Sequence, residues 1–377
     1  MERLMLTAGP AGLTPQQLHA LLPAISRSTL NRRLALLAQQ GRVYLRGAGR
    51  ATRYVSSSPL SRADIDAYFA LPWQQRPVAP FDETLLNATP NIDPDQARRC
   101  AQIQAIAQPV DKRFLAHFLI DLSWGSSVLE GGTYSALDTQ ALIEYGQRNP
   151  DKPTADALLV LNHKRAAEYL WTHRALNAEH VCCMHALLTD DHGLDEVQDS
   201  DHFLPVHQRG KPREYEEVNL AASAYMPPFR PGTHYVAQAF AQILATANTQ
   251  DPISAAVYLL TRIPYLQAFA NGNKRTARLA ANAPLLAQGL LPFSFADINK
   301  ADYIRGMAAF YELGHTQLIA QTFVEGYAKS VVRSSVIAPS LRTQGFDVST
   351  VGRGLCDFIR TGKWPSDSRV AMFLKPL

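Results

Sequence analysis

Cysteine is scarce in this chain of 377 residues, whose four cysteines are Cys100, Cys182, Cys183 and Cys356. They are too few and too irregularly spaced for the disulfide framework of a small secreted domain, so we expect them to be reduced. Two of them lie between His180 and His185, but on a helix those two histidine side chains face different directions. The sequence therefore predicts no metal site in this segment.

Long apolar runs are also missing from the sequence. No stretch approaches the roughly 18 uncharged apolar residues of a membrane span, and residues 1–13 lack the apolar core of a signal peptide. We therefore expect a cytoplasmic protein without a membrane partner. The length exceeds what one hydrophobic core usually organises, which predicts two or three domains. An oligomer is compatible with these features, although the sequence does not fix the number of subunits.

Acidic residues are nearly absent from residues 1–57, where Glu2 is the only acid and eight arginines give a net charge of +7. When these are taken from the 37 basic and 33 acidic residues of the whole chain, the remaining 320 residues sum to −3. The positive charge thus belongs to one end of the chain, which indicates a polyanion as the partner of that end.

Residues 1–57 show the pattern of helices followed by a hairpin. A short helix is expected from Pro15 onward, and a longer one that carries a leucine stripe is expected to end near Gln40. Two β-prone runs follow within 42–55, and the glycine-rich turn that joins them contains Arg50. The sequence therefore predicts a small α+β domain at this end.

This order of elements resembles a winged helix-turn-helix domain, in which the longer helix reads the major groove of DNA and the hairpin is the wing. The resemblance implies DNA binding through residues 1–57, with arginine contacts to phosphates supplying the affinity. Arg27, Thr29, Asn31 and Arg32 are placed where side chains could meet base edges, and the predicted DNA-binding set also includes Arg33, Arg50 and Arg53. A protein-binding winged helix with a solvated basic face is the alternative interpretation.

The rest of the chain is predicted to be mainly helical. Residues 58–110 are rich in proline and are expected to form a linker that packs on the next domain. Helical periodicity dominates residues 111–335, interrupted at 203–213, where the pattern around Gly210 predicts a β-hairpin flap. Residues 336–377 form a C-terminal extension without an assigned role. The predicted fold class is thus mainly α, with a small α+β domain in front.

The segment 267–278 contains a candidate anion site. Residues 271–274 cannot easily continue the apolar helix before them, and a new helix opens at Arg275. Backbone N–H groups converge at such a helix start, and Gly272 allows a ligand close to the backbone. Arg275 and Arg278 lie three residues apart on one helical face, where guanidinium groups can hold a phosphate. The pattern favours a polyphosphate ligand, with an ordinary solvated turn as the alternative.

The same segment resembles the catalytic loop of the Fic family, whose pattern is His-x-Phe-x-Asp/Glu-Gly-Asn-Gly/Lys-Arg-x-x-Arg. The matching residues are Phe269, Gly272, Asn273, Lys274, Arg275 and Arg278. Upstream, the run from Ser126 to Gly131 resembles the inhibitory motif of the family, Ser/Thr-x-x-x-Glu-Gly/Asn, with Glu130 at the acidic position. The segment 203–213 lies between the two motifs, as the flap does in the family. The resemblance covers about residues 111–335 and implies an all-helical Fic-like domain.

What the resemblance implies is an enzyme class that moves AMP, or a related group, from a nucleotide such as ATP to a hydroxyl side chain of a target protein. The nucleotide-binding residues would be Gly272, Asn273, Lys274, Arg275 and Arg278. The flap, with His207, Arg209 and Gly210, would pair with an extended segment of the target. Ser126 and Glu130 would form the inhibitory motif, with Glu130 reaching Arg278 in the place of the γ-phosphate.

Two departures from the family pattern count against transfer. Gln267 stands where the family has its catalytic histidine, and a carboxamide cannot act as a general base near neutral pH. Asn271 stands where a carboxylate would hold Mg²⁺, and a neutral amide oxygen is a poorer ligand for that ion. Both changes weaken transfer and leave the phosphate-binding residues in place.

Three functions are therefore open from the sequence. The first is a DNA-binding regulator whose Fic-like domain binds ATP or a related nucleotide with little or no transfer of AMP. The second is an active adenylyltransferase that Glu130 inhibits and that uses another base, for which His207 is a candidate. The third is a non-enzymatic platform that binds proteins through the flap. Tyr303 is either a nucleotide contact or a packed core residue.

Overall fold

A computed structural model of the chain describes residues 1, 4–5, 8, 12–40, 42–47, 49, 52–56, 60–87, 91–106, 112–197, 200–334 and 347–374. The chain forms two compact units. One comprises Met1–Asp82, Asn219–Pro228 and Ile304–Leu318, and the other comprises Glu83–Val218, Phe229–Tyr303 and Ile319–Leu377.

The described part of the chain is built mainly of helices. In chain order the elements are α1 (Pro15–Leu21), α2 (Arg27–Gln39), β1 (Val43–Arg46), β2 (Arg53–Ser56), α3 (Arg62–Phe69), β3 (Ala79–Pro80), α4 (Pro94–Gln102), α5 (Lys112–Leu129), α6 (Ala136–Tyr145), α7 (Thr154–Thr172), α8 (Ala178–Leu188), β4 (Tyr225–Met226), α9 (Tyr235–Ala247), α10 (Pro252–Leu266), α11 (Asn273–Ala280), α12 (Asn282–Ala287), α13 (Lys300–Leu313), α14 (Gln317–Arg333), α15 (Val348–Thr361) and α16 (Ser368–Leu374). The predicted mainly α fold class is confirmed. None of the helices described is long and apolar enough to cross a membrane.

The basic end of the chain contains the two helices and the hairpin that its pattern predicts. Thr14 begins α1 with a capping box, because its side chain accepts from Gln17 N while the Gln17 side chain bonds back. The leucine stripe of α2 is buried in a core with Leu18 and Val43. β1 pairs antiparallel with β2, with Val43 opposite Ser56. A hydrophobic core of its own holds this part of the first unit together.

A buried carboxylate organises the remainder of the first unit. Glu312 is 2% exposed, and its side chain accepts hydrogen bonds from Tyr68 Oη at 3.0 Å and from Ser223 Oγ at 2.8 Å. Arg76 Nη1 lies 3.0 Å from Glu312 Oε1 and supplies the opposite charge. Because a buried charge is tolerated only when it is paired and hydrogen-bonded, this network fixes the ends of α3 and α13.

The second unit is organised around α10. Asp251 caps this helix and Pro252 occupies its first turn, and every residue of the helix from Ile253 to Leu266 is buried. It packs against α9, α11 and α12, while α7 packs against α5 and α8. A helix that is buried all round lies in the centre of a bundle, and the segment that follows α10 is therefore held by buried neighbours.

The segment 203–213 differs from the hairpin that the sequence pattern predicts. It is a series of turns, and no residue from 200 to 218, all of which are described, lies in a strand. Its backbone donors bond to other parts of the unit: Gly210 N donates to His185 Nδ1, and Arg213 N donates to Ala268 O, both at 2.9 Å. Two prolines in the segment also supply no N–H group for a strand ladder. We keep the word flap for residues 203–213.

Candidate functional site

The loop of residues 267–272 joins two buried helices, and its first and last residues both have left-handed backbone. Gln267 has φ +49° after the last residue of α10, and Gly272 has φ +72° at the start of α11. The side chain of Asn273 braces the loop: Oδ1 accepts from Phe269 N at 2.9 Å, and Nδ2 donates to Phe269 O at 2.8 Å. The backbone of the loop is therefore fixed from inside by a residue of the motif.

Gln267 uses its side chain for this bracing. Its Nε2 donates to Pro264 O at 2.6 Å, and its Oε1 accepts from Asn273 Nδ2 at 2.9 Å. Only 6% of the residue is exposed. A carboxamide with both ends bonded to the protein does not take a proton from a substrate near neutral pH.

Arg278 lies at the centre of a buried polar cluster. Its Nη2 donates to Glu130 Oε1 at 2.6 Å, its Nε to Ser126 Oγ at 2.8 Å and its Nη1 to Tyr303 Oη at 3.2 Å. The guanidinium is 0% exposed, whereas the Glu130 side chain is 18% exposed. The structure thus brings together Ser126, Glu130 and Arg278, and it places Tyr303 as a buried contact of Arg278.

A histidine extends this cluster through Ser126. His163 Nδ1 lies 2.7 Å from Leu159 O, and His163 Nε2 lies 2.8 Å from Ser126 Oγ. A carbonyl oxygen only accepts, so Nδ1 carries the proton and Nε2 accepts from the serine hydroxyl. Burial and the nearby charge of Arg278 lower the pKa of His163 to about 3, which keeps the imidazole neutral.

Glu130 is ionised in this setting. Burial by itself would raise the pKa of its carboxyl group, but the charges of Arg278, Arg275 and Lys274 together lower it to about 2. The residue directly follows α5, and its N–H donates to Ser127 O at 3.0 Å. A carboxylate at a helix C-terminus is disfavoured by the helix dipole, so Glu130 depends on these cations for its stability.

Arg275 is also buried, at 1% exposed, and holds two neighbouring segments. Its Nη1 donates to Leu188 O at 3.1 Å, and its Nη2 donates to His202 O at 2.7 Å. Its Nε has no hydrogen-bond partner among the described residues. Burial lowers the pKa of Arg275 to about 10, so it remains a cation. Lys274, the next basic residue of the motif, is exposed.

His185 on α8 is a site residue that sequence reasoning missed. Its Nδ1 accepts from Gly210 N at 2.9 Å, and its Nε2 donates to Asn271 O at 3.0 Å. Its ring stacks on Phe269 with the centroids 3.9 Å apart. In the sequence, this histidine stands out only as a possible metal ligand near Cys182 and Cys183. Its two partners lie 25 and 86 residues away in the chain, and no local pattern points to them.

The flap is held against the loop by a second missed residue, Arg213. Its Nε donates to Gln267 O at 2.6 Å, and its backbone N donates to Ala268 O at 2.9 Å. Within the flap, Arg209 donates to Leu204 O and also pairs with Asp190. The ion pair anchors the flap to the loop after α8. His207 is exposed to solvent. Of the predicted flap residues, Gly210 and Arg209 therefore serve the fold, and His207 faces outward.

The position predicted for Mg²⁺ does not fit that ion. Asn271 Oδ1 accepts from Gly272 N at 2.5 Å, and Asn271 Nδ2 donates to Asp201 O at 2.5 Å. The amide oxygen is neutral and already engaged, whereas Mg²⁺ prefers charged oxygen ligands. Across the described residues, no group of three or more His, Cys, Asp or Glu side chains is placed to hold a metal.

The predicted DNA-contacting residues lie in the first unit. Arg27, Asn31, Arg32 and Arg33 are exposed on α2. Thr29 contributes to the cap of α2, because its N–H donates to Ser26 Oγ at 3.3 Å. Arg53 on β2 donates from Nη1 to Gly12 O at 3.3 Å. Arg50 lies outside the described residues.

The segment around the loop is similar to known Fic proteins. Residues 175–285 match the family model described as Fic/DOC family. The curated "Protein adenylyltransferase Fic" of Nematostella vectensis is 25% identical over 261 residues, which are 67% of this chain and 55% of that protein. The chain thus spans about half the length of the curated relative it matches. A solved Fic family protein from Desulfovibrio desulfuricans G20 is 19% identical, with a TM-score of 0.50 over 76% of this chain and 86% of that chain.

Proposed function

We propose that the Fic-like domain of this chain, whose residues 175–285 match the Fic/DOC family model, binds ATP or a related nucleotide but transfers AMP poorly or not at all. The observation that supports poor transfer of AMP is the hydrogen bonding of the Gln267 side chain. Both ends of its carboxamide are bonded inside the loop, at the position where the family pattern has a histidine. A target hydroxyl must lose a proton as it attacks a phosphorus atom, and this side chain cannot accept it.

The start of α11 supports the proposal that the domain binds a nucleotide. Gly272 is its N-cap residue and, as a glycine, brings no side chain to cap this N-terminus. Backbone N–H groups and the positive end of the helix dipole favour an anion there. The buried Arg275 still has an Nε–H without an acceptor, and Lys274 is exposed beside it. A phosphate group would satisfy these donors.

The ion pair between Glu130 and Arg278 supports the proposal that access of a phosphate to Arg278 is limited. The two side chains meet at 2.6 Å, and the Ser126 hydroxyl takes a further donor of the same guanidinium. A phosphate that needs Arg278 must compete with a carboxylate that is ionised at neutral pH. We infer that Glu130 limits nucleotide binding in this domain and keeps a bound nucleotide in an unreactive pose.

An active adenylyltransferase inhibited by Glu130 is the second candidate, because the inhibitory pair is present in full. The two candidates differ in whether release of Arg278 is enough for transfer. Incubation with labelled ATP separates them, using the wild type, Glu130→Gly, Gln267→His and the double variant. We expect label on protein only with Gln267→His, and most with the double variant, because a general base contributes about a hundredfold to ten-thousandfold.

Label on the Glu130→Gly variant with Gln267 intact would support the active enzyme instead. A thermal-shift series with ATP completes the test. Occupancy at about one hundred times the dissociation constant should add about 2.7 kcal/mol to the free energy of unfolding. The third candidate, a protein-binding platform that uses the flap, predicts no stabilisation by any nucleotide.

For the basic end of the chain we propose DNA binding through α2 and the hairpin of β1 and β2. The supporting observation is the exposure of Arg27, Arg32 and Arg33 along one helix that begins with a serine cap. Such a helix offers both guanidinium groups and N-terminal N–H groups to phosphates. A mobility shift with promoter DNA tests the proposal. Retardation no stronger than that of an unrelated duplex would contradict sequence-specific binding.

A further inference from the structure

One imidazole touches both the flap and the 267–272 loop. His185 Nδ1 lies 2.9 Å from Gly210 N in the flap, and His185 Nε2 lies 3.0 Å from Asn271 O in the loop. The carbonyl oxygen only accepts and the amide N–H only donates, so the proton is on Nε2 and the lone pair is on Nδ1. Both hydrogen bonds need the same neutral tautomer, and His185 has no polar atom left over for another partner.

The two segments also approach α8 so closely that only glycine fits. A Cβ atom on Gly210 would lie 2.9 Å from Cys182 O and 3.2 Å from Ala186 Cβ. A Cβ atom on Gly272 would lie 2.9 Å from Thr189 Cγ2 and 3.4 Å from the ring of His185. The flap and the start of α11 therefore rest on adjacent turns of the same helix, with His185 between them.

The ring faces of His185 add a third contact. His185 is 0% exposed and stacks on Phe269 at 3.9 Å, with an angle of 10° between the planes. Phe269 is itself buried, and its backbone N–H and C=O are the groups that Asn273 binds. The imidazole thus contacts the loop at both Phe269 and Asn271, and the flap at Gly210.

From these contacts we propose that His185 is a positioning residue that holds the flap and the 267–272 loop in one fixed arrangement, and that this arrangement is needed for phosphate binding at α11. The second clause rests on the proposed nucleotide binding. Without the two hydrogen bonds, the loop and the flap lose the polar contact with α8 that they share, although Arg213 still joins the flap to Gln267 and Ala268. The N–H groups at the start of α11 are then less well placed for a phosphate.

Two variants of His185 separate its hydrogen bonds from its packing. His185→Phe keeps a planar ring for the stack on Phe269 and removes both hydrogen bonds. His185→Gln can still accept at Oε1 and donate at Nε2, so it is the conservative replacement. His180→Phe on the same helix is the control, since His180 Nδ1 contacts Ala175 O and not the flap.

The first measurement is hydrogen exchange of backbone amides in the full chain. We expect His185→Phe to speed exchange at Gly210 and at residues 269–272 together by about tenfold. His185→Gln should restore slower exchange at both segments, and His180→Phe should leave both unchanged. Faster exchange at only one segment, or at neither, would overturn the proposal that one residue joins them.

The second measurement is the affinity for ATP by calorimetry. We expect His185→Phe to weaken it by about tenfold and His185→Gln by much less, with wild-type affinity in His180→Phe. Unchanged affinity in a variant with faster exchange would overturn the link to phosphate binding. If no variant, including the wild type, binds ATP, the proposed function fails, and the exchange data still decide whether His185 joins the two segments.

A variant on the flap side covers the case in which His185→Phe does not fold. Gly210→Ala pushes the flap away from Cys182 O and leaves His185 intact. Because the strain passes through the same imidazole, we expect exchange to speed up at residues 269–272 as well as in the flap. Exchange that changes in the flap alone would contradict the proposal.

Discussion

At the scale of single residues, Arg278 is a buried cation that depends on one carboxylate. It has three hydrogen-bonding side-chain partners, but only Glu130 carries the opposite charge. Removal of one partner from a buried pair leaves the other charge without compensation, which costs more than the pair contributes. The same uncompensated guanidinium would attract a phosphate. Stability and ligand binding at this site should therefore change in opposite directions.

Glu130→Gln is the substitution that tests this opposition. We expect the free energy of unfolding without ligand to fall by about 1–3 kcal/mol, and the affinity for ATP to rise by about tenfold. Denaturant unfolding and calorimetry measure the two quantities. Glu168→Gln is the matched control, since Glu168 pairs with Lys164 on a half-exposed helix surface and should change stability by less than about 0.5 kcal/mol. A fall in both stability and affinity would contradict competition for Arg278.

The two buried histidines of the site predict how stability depends on pH. Burial is the main cause that lowers the pKa of His163 and of His185 to about 3, below the value of about 6.5 in an unfolded chain. The unfolded state therefore binds more protons between these values, so stability is full above pH 6.5 and falls as the pH drops. Each histidine adds a slope of about 1.4 kcal/mol per pH unit in this window.

Unfolding in denaturant between pH 5 and 6.5 measures that slope, and Glu130 contributes little there because its carboxyl group is ionised in both states. His185→Gln should reduce the slope by about 1.3 kcal/mol per pH unit near pH 5, and by about 0.7 near pH 6.5, where about half of the unfolded histidine is protonated. An unchanged slope would mean that His185 is not held neutral by the fold.

At the scale of elements, the sequence predicted the helices that flank the loop but not what holds the loop. The bounds of α10 follow from Asp251 and Pro252 at its start, and α11 begins beside Gly272, where the apolar pattern breaks. His185 and Arg213 could not be predicted in their roles, because their partners are backbone atoms of distant segments. Backbone partners leave no residue type to recognise in a sequence.

The flap shows that a local sequence pattern can also predict an element that the packing does not allow. A glycine between extended stretches is typical of a hairpin, but here Gly210 is required by its approach to Cys182 O. The local pattern is the same in both cases, and only the packing against α8 distinguishes them. The prediction that the flap binds a target segment by strand addition stays a prediction.

Gly272 allows a direct test of how closely α11 must approach α8. In Gly272→Ala the left-handed backbone costs about 1–2 kcal/mol, and the contact with Thr189 adds about 1–3 kcal/mol. Gly146→Ala is the matched control, because Gly146 has φ +67° with nothing within 4 Å of the added methyl group. We expect thermal unfolding to show a clearly larger loss for Gly272→Ala. Equal losses would mean that the approach to α8 is not tight.

At the scale of the whole molecule, the charge is divided between the ends of the chain. Residues 1–57 carry +7 and the rest of the chain carries −3. We expect the affinity of this end for DNA to fall with salt, because arginines that contact phosphates release counterions. Specific base contacts do not change with salt in this way. The slope against salt therefore counts phosphate contacts and separates them from sequence recognition.

Substitution of the exposed arginines of α2 tests the DNA-binding surface. Each of Arg27→Ala, Arg32→Ala and Arg33→Ala that removes a phosphate contact should lower the slope of log affinity against log salt by about 0.9. Arg353→Ala, an exposed arginine of α15, is the control and should leave the slope unchanged. Fluorescence anisotropy with a labelled duplex at several salt concentrations gives the slopes. A triple α2 variant with the wild-type slope would place the DNA surface elsewhere.

The left-handed backbone at Gln267 has a consequence for how this gene can evolve. Histidine tolerates positive φ better than most residues, and the Gln267 carbonyl is held by Arg213 whatever side chain the residue carries. Codons for glutamine and histidine differ only in the third base. A single nucleotide change would therefore place an imidazole on a backbone that already accommodates it. Any large population that carries this gene generates that allele repeatedly, so its frequency among natural variants measures whether selection opposes a base at this position.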